Sequence, residues 1–477
     1  GNDLIEPGTK NNWNELKKSA EDGSLPLINI DASIKRILEL VFKSKKMQNY
    51  EYNENPDLKK HAITSRKSAA EGMILLKNNE TLPINNISNI ALIGATSYDF
   101  ISGGTGSGDV DEAYIIALDE ALKDNGFILN EIALNDYEKQ IKNNPNKKQK
   151  GGGAIETAMT IMNPPIPMDI DYPIEFIEKT SKAADMAIIT IGRNSGETAD
   201  RKVEGDFLLS KTEKEMIINT CKVYHSLGKK VVVILNIGGV IETASWKDLP
   251  DAILLAWQGG QEGGNSVVDI LTGKINPSGK LPMTFPNDIN DHKSSLNFPM
   301  DGEQLNLSDI ISGLISEEKA KEEKIKNKDY TLYEEGIYVG YRHFDKNNIE
   351  VSYPFGYGLS YTDFEYSDLK IIKKKDTIMI SLNVKNIGNQ KGKEIVQVYV
   401  SKNNSKIDRP IKELKEFSKT KLLDLGEAVK MNFNIPISDL SYWNEEVNDW
   451  SLEKGVYSIL IGASSRDIKL IKEIDVK

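Results

Sequence analysis

At 477 residues the chain is long enough for two or three domains, each able to bury a core of its own. Its formal charge of -11, from 60 Lys+Arg against 71 Asp+Glu, offers no long-range attraction to phosphate backbones or anionic lipid, which excludes nucleic acid and membrane surfaces as expected partners. No stretch approaches the roughly 20 apolar residues of a membrane span, and four scattered histidines with one cysteine give no metal-ligand spacing, so neither metal nor cofactor is expected.

Residues 1–50 hold a short strand-like segment around Leu4 and Ile5, a helical stretch with Trp13 and Leu16, and a second helix from Asp31. In that second helix Ile34, Ile37, Leu38 and Val41 recur at three- and four-residue spacing. This is one βα unit with its supporting helices. Residues 51–61 are polar and read as a linker. From Ala62 apolar strands alternate with amphipathic helices. The strands are 73–76, 90–94, 186–192, 231–236 and 252–257; the helices are 114–123, 212–227 and 263–271. Strands apolar on consecutive residues, each followed by a helix, predict a mostly parallel sheet covered on both faces, with ligand-binding loops at the carboxyl ends of the strands.

Residues 143–153 and the charged run 317–328 read as solvated insertions. After Tyr353 short strands at 377–384, 395–400, 429–435 and 456–462, separated by Gly, Asn and Pro turns, predict an all-β sandwich. The lone Cys221 cannot form an internal disulfide, which suits a reducing compartment, and the chain reads as cytoplasmic. It opens on Gly1 rather than Met and shows no signal peptide, so a leader upstream of it stays open.

Three polar or glycine-rich stretches follow predicted strands. Ser-Gly-Glu-Thr-Ala-Asp-Arg at 195–201 places Glu197 on a loop where a carboxylic acid can protonate a departing oxygen. The competing reading pairs Glu197 and Asp200 with Arg193 or Arg201 on a solvated loop. Gly-Gly-Thr-Gly-Ser-Gly at 103–108 lets backbone approach a ligand closely and offers the Ser107 hydroxyl. A phosphate loop would need a lysine and a following helix that are missing here, and a plain turn stays open. In Gln-Gly-Gly-Gln-Glu-Gly-Gly at 258–264, Glu262 sits near a helix N-terminus, where it can cap the helix or act as reserve proton donor.

Together with Ala-Glu-Gly-Met-Ile-Leu-Leu-Lys-Asn at 70–78, Leu82-Pro83, Asn-Pro-Ser-Gly-Lys-Leu-Pro-Met-Thr-Phe-Pro at 276–286, Gly-Tyr-Arg at 340–342 and Phe-Gly-Tyr-Gly-Leu-Ser-Tyr-Thr at 355–362, these stretches resemble glycoside hydrolase family three. The resemblance covers nearly the whole chain and keeps the family's motif order. It implies a multi-domain β-glucosidase: a (β/α)8 barrel, then an α/β sandwich, then a fibronectin III-like β-sandwich. On that reading residues 1–50 are the last βα unit of the barrel, 51–61 a linker, 62–300 the α/β sandwich, 301–352 a linker and extended segment, and 353–477 the fibronectin III-like domain. A full barrel takes about 250 residues, so roughly 200 of them lie outside this chain.

The resemblance further implies that Glu197, in the subgroup's Gly-Glu-x-x-Asp-Arg loop, is the acid/base of a retaining mechanism. Ser107 matches a serine that reaches the sugar from the sandwich, and with Gly106 and Glu6 it makes the implied substrate-binding set, Glu6 standing before Pro-Gly where the family usually carries an apolar residue, often methionine. The nucleophile is an aspartate in a Ser-Asp-Trp setting, and that tripeptide does not occur here. The expected function is therefore the C-terminal portion of a retaining β-glucosidase acting on a β-glucoside or short β-glucan oligosaccharide. It would be paired with an N-terminal barrel fragment or chain, and inactive alone. A β-xylosidase or other exo-β-glycosidase of the family is the neighbouring alternative. A non-catalytic carbohydrate-binding or assembly module is the alternative of another class.

Overall fold

The computed structural model describes residues 2–6, 8–105, 108, 110, 112–143, 168–195, 202–297, 326 and 330–477. They divide into two compact units, residues 1–60 and residues 61–477.

In the first unit helix α1 (Lys10–Glu21) starts where Thr9 accepts the Asn12 amide while the Asn12 side chain accepts the Thr9 amide, a reciprocal cap. Helix α2 (Leu27–Lys43) begins after Pro26, a turn earlier than the Asp31 start expected from apolar spacing. The segment around Leu4 and Ile5 is not a strand: strand geometry is held by ladder hydrogen bonds, and none is formed here. Instead Asp3 is tied down by α2, with the Arg36 guanidinium and the Ser33 hydroxyl donating to its carboxylate. The Arg36 bonds foremost hold that carboxyl at about 2. Much of α2 remains apolar and uncovered, Leu40 at 74% and Phe42 at 63% exposure.

In the second unit a six-stranded sheet runs β1-β6-β5-β4-β2-β3. Its strands are β1 (Ile74–Asn78), β2 (Asn89–Ile93), β3 (Ile128–Leu129), β4 (Met186–Arg193), β5 (Lys230–Ile237) and β6 (Ala252–Leu255). All neighbours are parallel except β1 against β6, so the mostly parallel sheet expected from the apolar runs is present. Every residue of β4 is buried, as is every residue of β5 but Lys230. The period-two alternation sends Ala187, Ile189, Val233 and Leu235 into one core and Ile188, Val232 and Ile234 into the other. Helices α6 (Ile174–Ala183) and α7 (Lys211–Ser226) cover the first face; α4 (Leu118–Asp124) and α8 (Gly263–Leu271) cover the second.

Several local expectations are corrected. Helix α3 (Leu58–Gly72) begins inside the stretch read as linker, because its polar sequence with one buried residue, Ala70, gives no apolar stripe to see. Helix α5 (Glu131–Asn143), α6 and β3 were likewise unanticipated. The helix expected over 114–123 starts only at Leu118: the Ile116 amide donates to Gln261 and its carbonyl accepts from Gly264, tertiary bonds that displace helical ones. The strand expected to reach Trp257 ends at Leu255, since Trp257 turns into the left-handed region at φ 55°.

The C-terminal part is the expected β-sandwich, a three-stranded sheet β13-β10-β9 facing a four-stranded sheet β12-β11-β16-β17. These are β9 (Phe364–Lys374), β10 (Thr377–Asn386), β11 (Ile395–Lys402), β12 (Glu413–Lys419), β13 (Ala428–Pro436), β16 (Gly455–Gly462) and β17 (Ile468–Val476), with two short pairs outside these sheets, β7 (Phe285–Pro286) with β8 (Val351–Tyr353) and β14 (Tyr442–Asn444) with β15 (Asp449–Ser451). Alternate residues such as Ile378, Ile380, Leu382 and Val384 enclose its core. The sandwich is fastened to the α/β part by segments singled out in the sequence. The Leu281 amide donates to Tyr357, Gly356 to Leu281 and Leu359 to Leu75, each at 2.8 Å, while Asn276 accepts from Ser360 and Tyr361. The strings 276–286 and 355–362 thus meet each other and hold the two parts together. Among the described residues no helix is long and apolar enough to cross a membrane.

Candidate active site

The chain leaves β2 for β3 on one side and returns across β2 to β4, β5 and β6 on the other. The strand order thus reverses between the neighbours β2 and β4, and the carboxyl ends of the strands at such a reversal form the crevice where open parallel sheets bind ligands. The loop after β2 runs toward Gly106 and Ser107, and the loop after β4 runs through Ser195 toward Glu197. Glu197, Ser107 and Gly106 themselves lie outside the described residues. Glu6 is exposed in the first unit.

What the structure brings together are the flanks of all three stretches singled out in the sequence. The Ser195 carbonyl accepts from the Thr105 amide at 2.8 Å and the Thr105 hydroxyl at 3.0 Å, which binds the glycine-rich turn to the start of the 195–201 loop. The Ser195 hydroxyl donates to Gln258 Oε1 at 3.1 Å, and the Gly260 amide donates to Ser102 at 2.8 Å, bringing in the third stretch. This approach needs two residues without side chains: a Cβ on Gly104 would lie 2.8 Å from the Ser195 hydroxyl, and one on Gly238 equally close.

Beneath them sits Asn236, fully buried near the end of β5. Its Oδ1 accepts the Ile101 amide at 2.7 Å, while its Nδ2 donates to the Ile101 carbonyl at 3.0 Å and the Trp257 carbonyl at 2.7 Å. Every polar atom of that amide is used, as a buried amide requires. Asn236, Thr105 and Gln258 were not singled out for a role in the sequence. For Asn236 the one signal was an asparagine closing an otherwise apolar strand, Val-Val-Val-Ile-Leu-Asn, while Thr105 and Gln258 lay inside the stretches 103–108 and 258–264.

Among the described residues here, Arg193 and Glu262 are both paired. Arg193, 5% exposed, grips Glu213 through two bonds of 2.6 Å and donates also to the Asp206 and Gly192 carbonyls. Those bonds take four of its five N–H groups. Glu262 stands at the N-cap position of α8 but makes no side-chain cap bond. Its two oxygens accept from the Tyr114 hydroxyl at 2.6 Å and Asn265 Nδ2 at 2.7 Å instead, so the expected capping role is corrected. The bond to Glu262 pushes the Tyr114 phenol above its usual pKa. Under the crevice Gly94, Thr96, Thr190 and Glu213 line a cavity of about 30 Å³, room for about two water molecules and not for a sugar ring.

Comparison with known proteins agrees with this architecture. The model of the glycosyl hydrolase family 3 C-terminal domain matches residues 73–341, and that of the fibronectin type III-like domain matches residues 394–465. Beta-glucosidase A of Butyrivibrio fibrisolvens is 35% identical over 460 residues, covering 86% of this chain and 50% of the relative. Thermostable beta-glucosidase B of Acetivibrio thermocellus is 32% identical over 471 residues, 97% of this chain and 54% of the relative. The structure of beta-glucosidase 3B from Thermotoga neapolitana in complex with glucose superposes with a TM-score of 0.84 at 40% identity, over 100% of this chain and 63% of that one. The chain thus spans about half the length of the curated relatives it matches.

Proposed function

The chain belongs to glycosyl hydrolase family 3, and from that premise we propose that it is the acid/base-bearing portion of a retaining β-glucosidase that removes terminal non-reducing β-D-glucosyl residues. The observation that carries the proposal is the reversal of strand order between β2 and β4, because the chain segments that follow these two strands continue in sequence into Gly106, Ser107 and Glu197. In this reading an aspartate on a barrel outside this chain attacks the anomeric carbon, and Glu197 gives its proton to the glycosidic oxygen as that bond breaks. Glu197 then takes a proton from water as it hydrolyses the glycosyl-enzyme intermediate. Retention needs the two carboxyl groups about 5 to 5.5 Å apart, so barrel and crevice must close on one another. The uncovered apolar side chains of α2 support a barrel of which this helix is one member. Glu262 is the weaker candidate for proton donor, being 8% exposed with both oxygens engaged by Tyr114 and Asn265.

The test uses this chain assembled with its barrel portion. Glu197→Gln should abolish hydrolysis of alkyl β-glucosides, whose leaving group needs a proton, and should spare the glycosylation step of 2,4-dinitrophenyl β-glucoside, whose leaving group does not. Full activity of the variant on alkyl glucosides sinks the assignment, and an assembly inert on both substrates sinks the β-glucosidase reading.

A further inference from the structure

Asparagine is a poor choice for a strand buried on both faces, since each polar atom carried inside must find a partner or lose its hydration unrewarded. In β5 it stands at the carboxyl end, under the crevice, and its partners are backbone groups of two other loops rather than of its own strand. One of them is unusual: Trp257 holds φ 55°, a region that bulky side chains rarely enter, and its carbonyl is the group Asn236 Nδ2 grips at 2.7 Å. Strained backbone of this kind persists where neighbours over-determine it and tends to collect at functional sites.

The consequence of the turn at Trp257 is the direction of the next residue. Gln258 reaches back to receive the Ser195 hydroxyl, and its buried Nε2 has no hydrogen-bond partner among the described residues. The Ile101 end of the network leads equally directly into Ser102, which accepts the Gly260 amide, and on to Thr105, which donates twice to Ser195. Two paths, each a hydrogen bond from Asn236, a short run of backbone and a hydrogen bond to Ser195, thus run from a single amide to the residue that opens the 195–201 loop: one through Trp257 and Gln258, one through Ile101 and Thr105.

We propose that Asn236 is a positioning residue for the acid/base: by fixing the Ile101 and Trp257 backbones together it sets the place of Ser195, the residue from which the chain continues to Glu197. The inference rests on the β-glucosidase reading for its catalytic half and on geometry alone for its positioning half. Asn236 touches no substrate. It acts through the loops, so its removal displaces the proton donor without removing it, and a displacement of about 1 Å costs on the order of 100-fold in rate.

Two measurements on Asn236→Leu test it. In this chain by itself, hydrogen exchange of the Ile101 and Gly260 amides should quicken at least tenfold while amides in the middle of β5 keep their wild-type rates. In the assembly with the barrel, kcat on an alkyl β-glucoside should fall about 10- to 100-fold with KM changed less than about threefold, and the basic limb of the kcat/KM profile should move. Val233→Ala, which thins the buried middle of the same strand, is the control and should lower stability and leave kcat and the pH limb in place. Unchanged exchange at Ile101, or a kcat within twofold of wild type, overturns the proposal. An equal loss of kcat in Val233→Ala overturns it too, by reducing the effect to general loosening. A wild-type assembly without glucosidase activity refutes the underlying reading and the catalytic half with it, and the exchange result still decides the positioning half.

Discussion

Replacing Arg66 by leucine removes the principal partner of a carboxylate that the fold has sealed in. Asp269, on α8, is 2% exposed and receives Arg66 Nε at 2.6 Å and Nη2 at 2.7 Å, with Lys274 Nζ at 2.9 Å on its outer side. Burial pushes the Asp269 carboxyl up, but the bonds from Arg66 and Lys274 outweigh it and hold the group below the usual carboxylate range. Two charge-assisted bonds at roughly 1.5 to 3 kcal/mol each would bound the loss at about 6 kcal/mol, and breaking one partner out of a buried pair costs about 3 to 5 kcal/mol. Lys274 stays, and the Arg66 side chain is 27% exposed, so water reaches the gap. The expected cost of Arg66→Leu is therefore about 2 to 3 kcal/mol at pH 7.

Because an apolar pair can replace a buried ion pair nearly neutrally, Arg66→Leu/Asp269→Leu should recover at least half of that loss, a coupling that a double-mutant cycle by scanning calorimetry reads directly. The pH dependence has a fixed sign. A carboxyl depressed in the folded state contributes its full stability above the unfolded value of about 4 and loses it as pH falls through the lower folded value. The gap between wild type and Arg66→Leu should accordingly be level from about pH 5 to pH 8 and shrink below about pH 4. A loss under about 0.5 kcal/mol, or the same loss in the Asp269→Leu background, would refute the pairing argument.

Glu262→Gln should leave kcat of the assembled enzyme within about threefold while lowering its melting temperature, because its partners are Tyr114 and Asn265; a loss of about 100-fold or more would move the proton-donor role to Glu262. Gly94→Ala should destabilise the α/β part by about 3 kcal/mol or more, since Gly94 holds φ 108° and a Cβ there would lie 2.3 Å from the Thr190 carbonyl oxygen. Calorimetry showing less than about 1 kcal/mol would mean that the ends of β2 and β4 slide apart freely.

Elements whose side chains repeat with a regular period could be read from the chain by inspection. β2, β4 and β5 announce themselves as unbroken apolar runs because helices cover both faces, and β10 and β13 as strict alternation because only one face meets a core. Helix α8 was bounded correctly from residues 263–271, where two glycines precede its apolar face. The polar α3 offered no such period, and the stretch 114–117 was misread as helix because its true partners, Gln261 and Gly264, lie about 150 residues away.

The chemistry divides the same way. Composition and motif order were enough to single out the three loops around Ser107, Glu197 and Glu262, since glycines and carboxylates after strands mark themselves locally. That the flanks of these loops converge, that Arg193 is committed to Glu213 and that Asn236 ties Ile101 to Trp257 became visible only in three dimensions. Each depends on hydrogen bonds between residues brought together by sheet order, and sheet order is decided by which apolar faces can be buried at once, a property of the whole chain that no local spacing encodes.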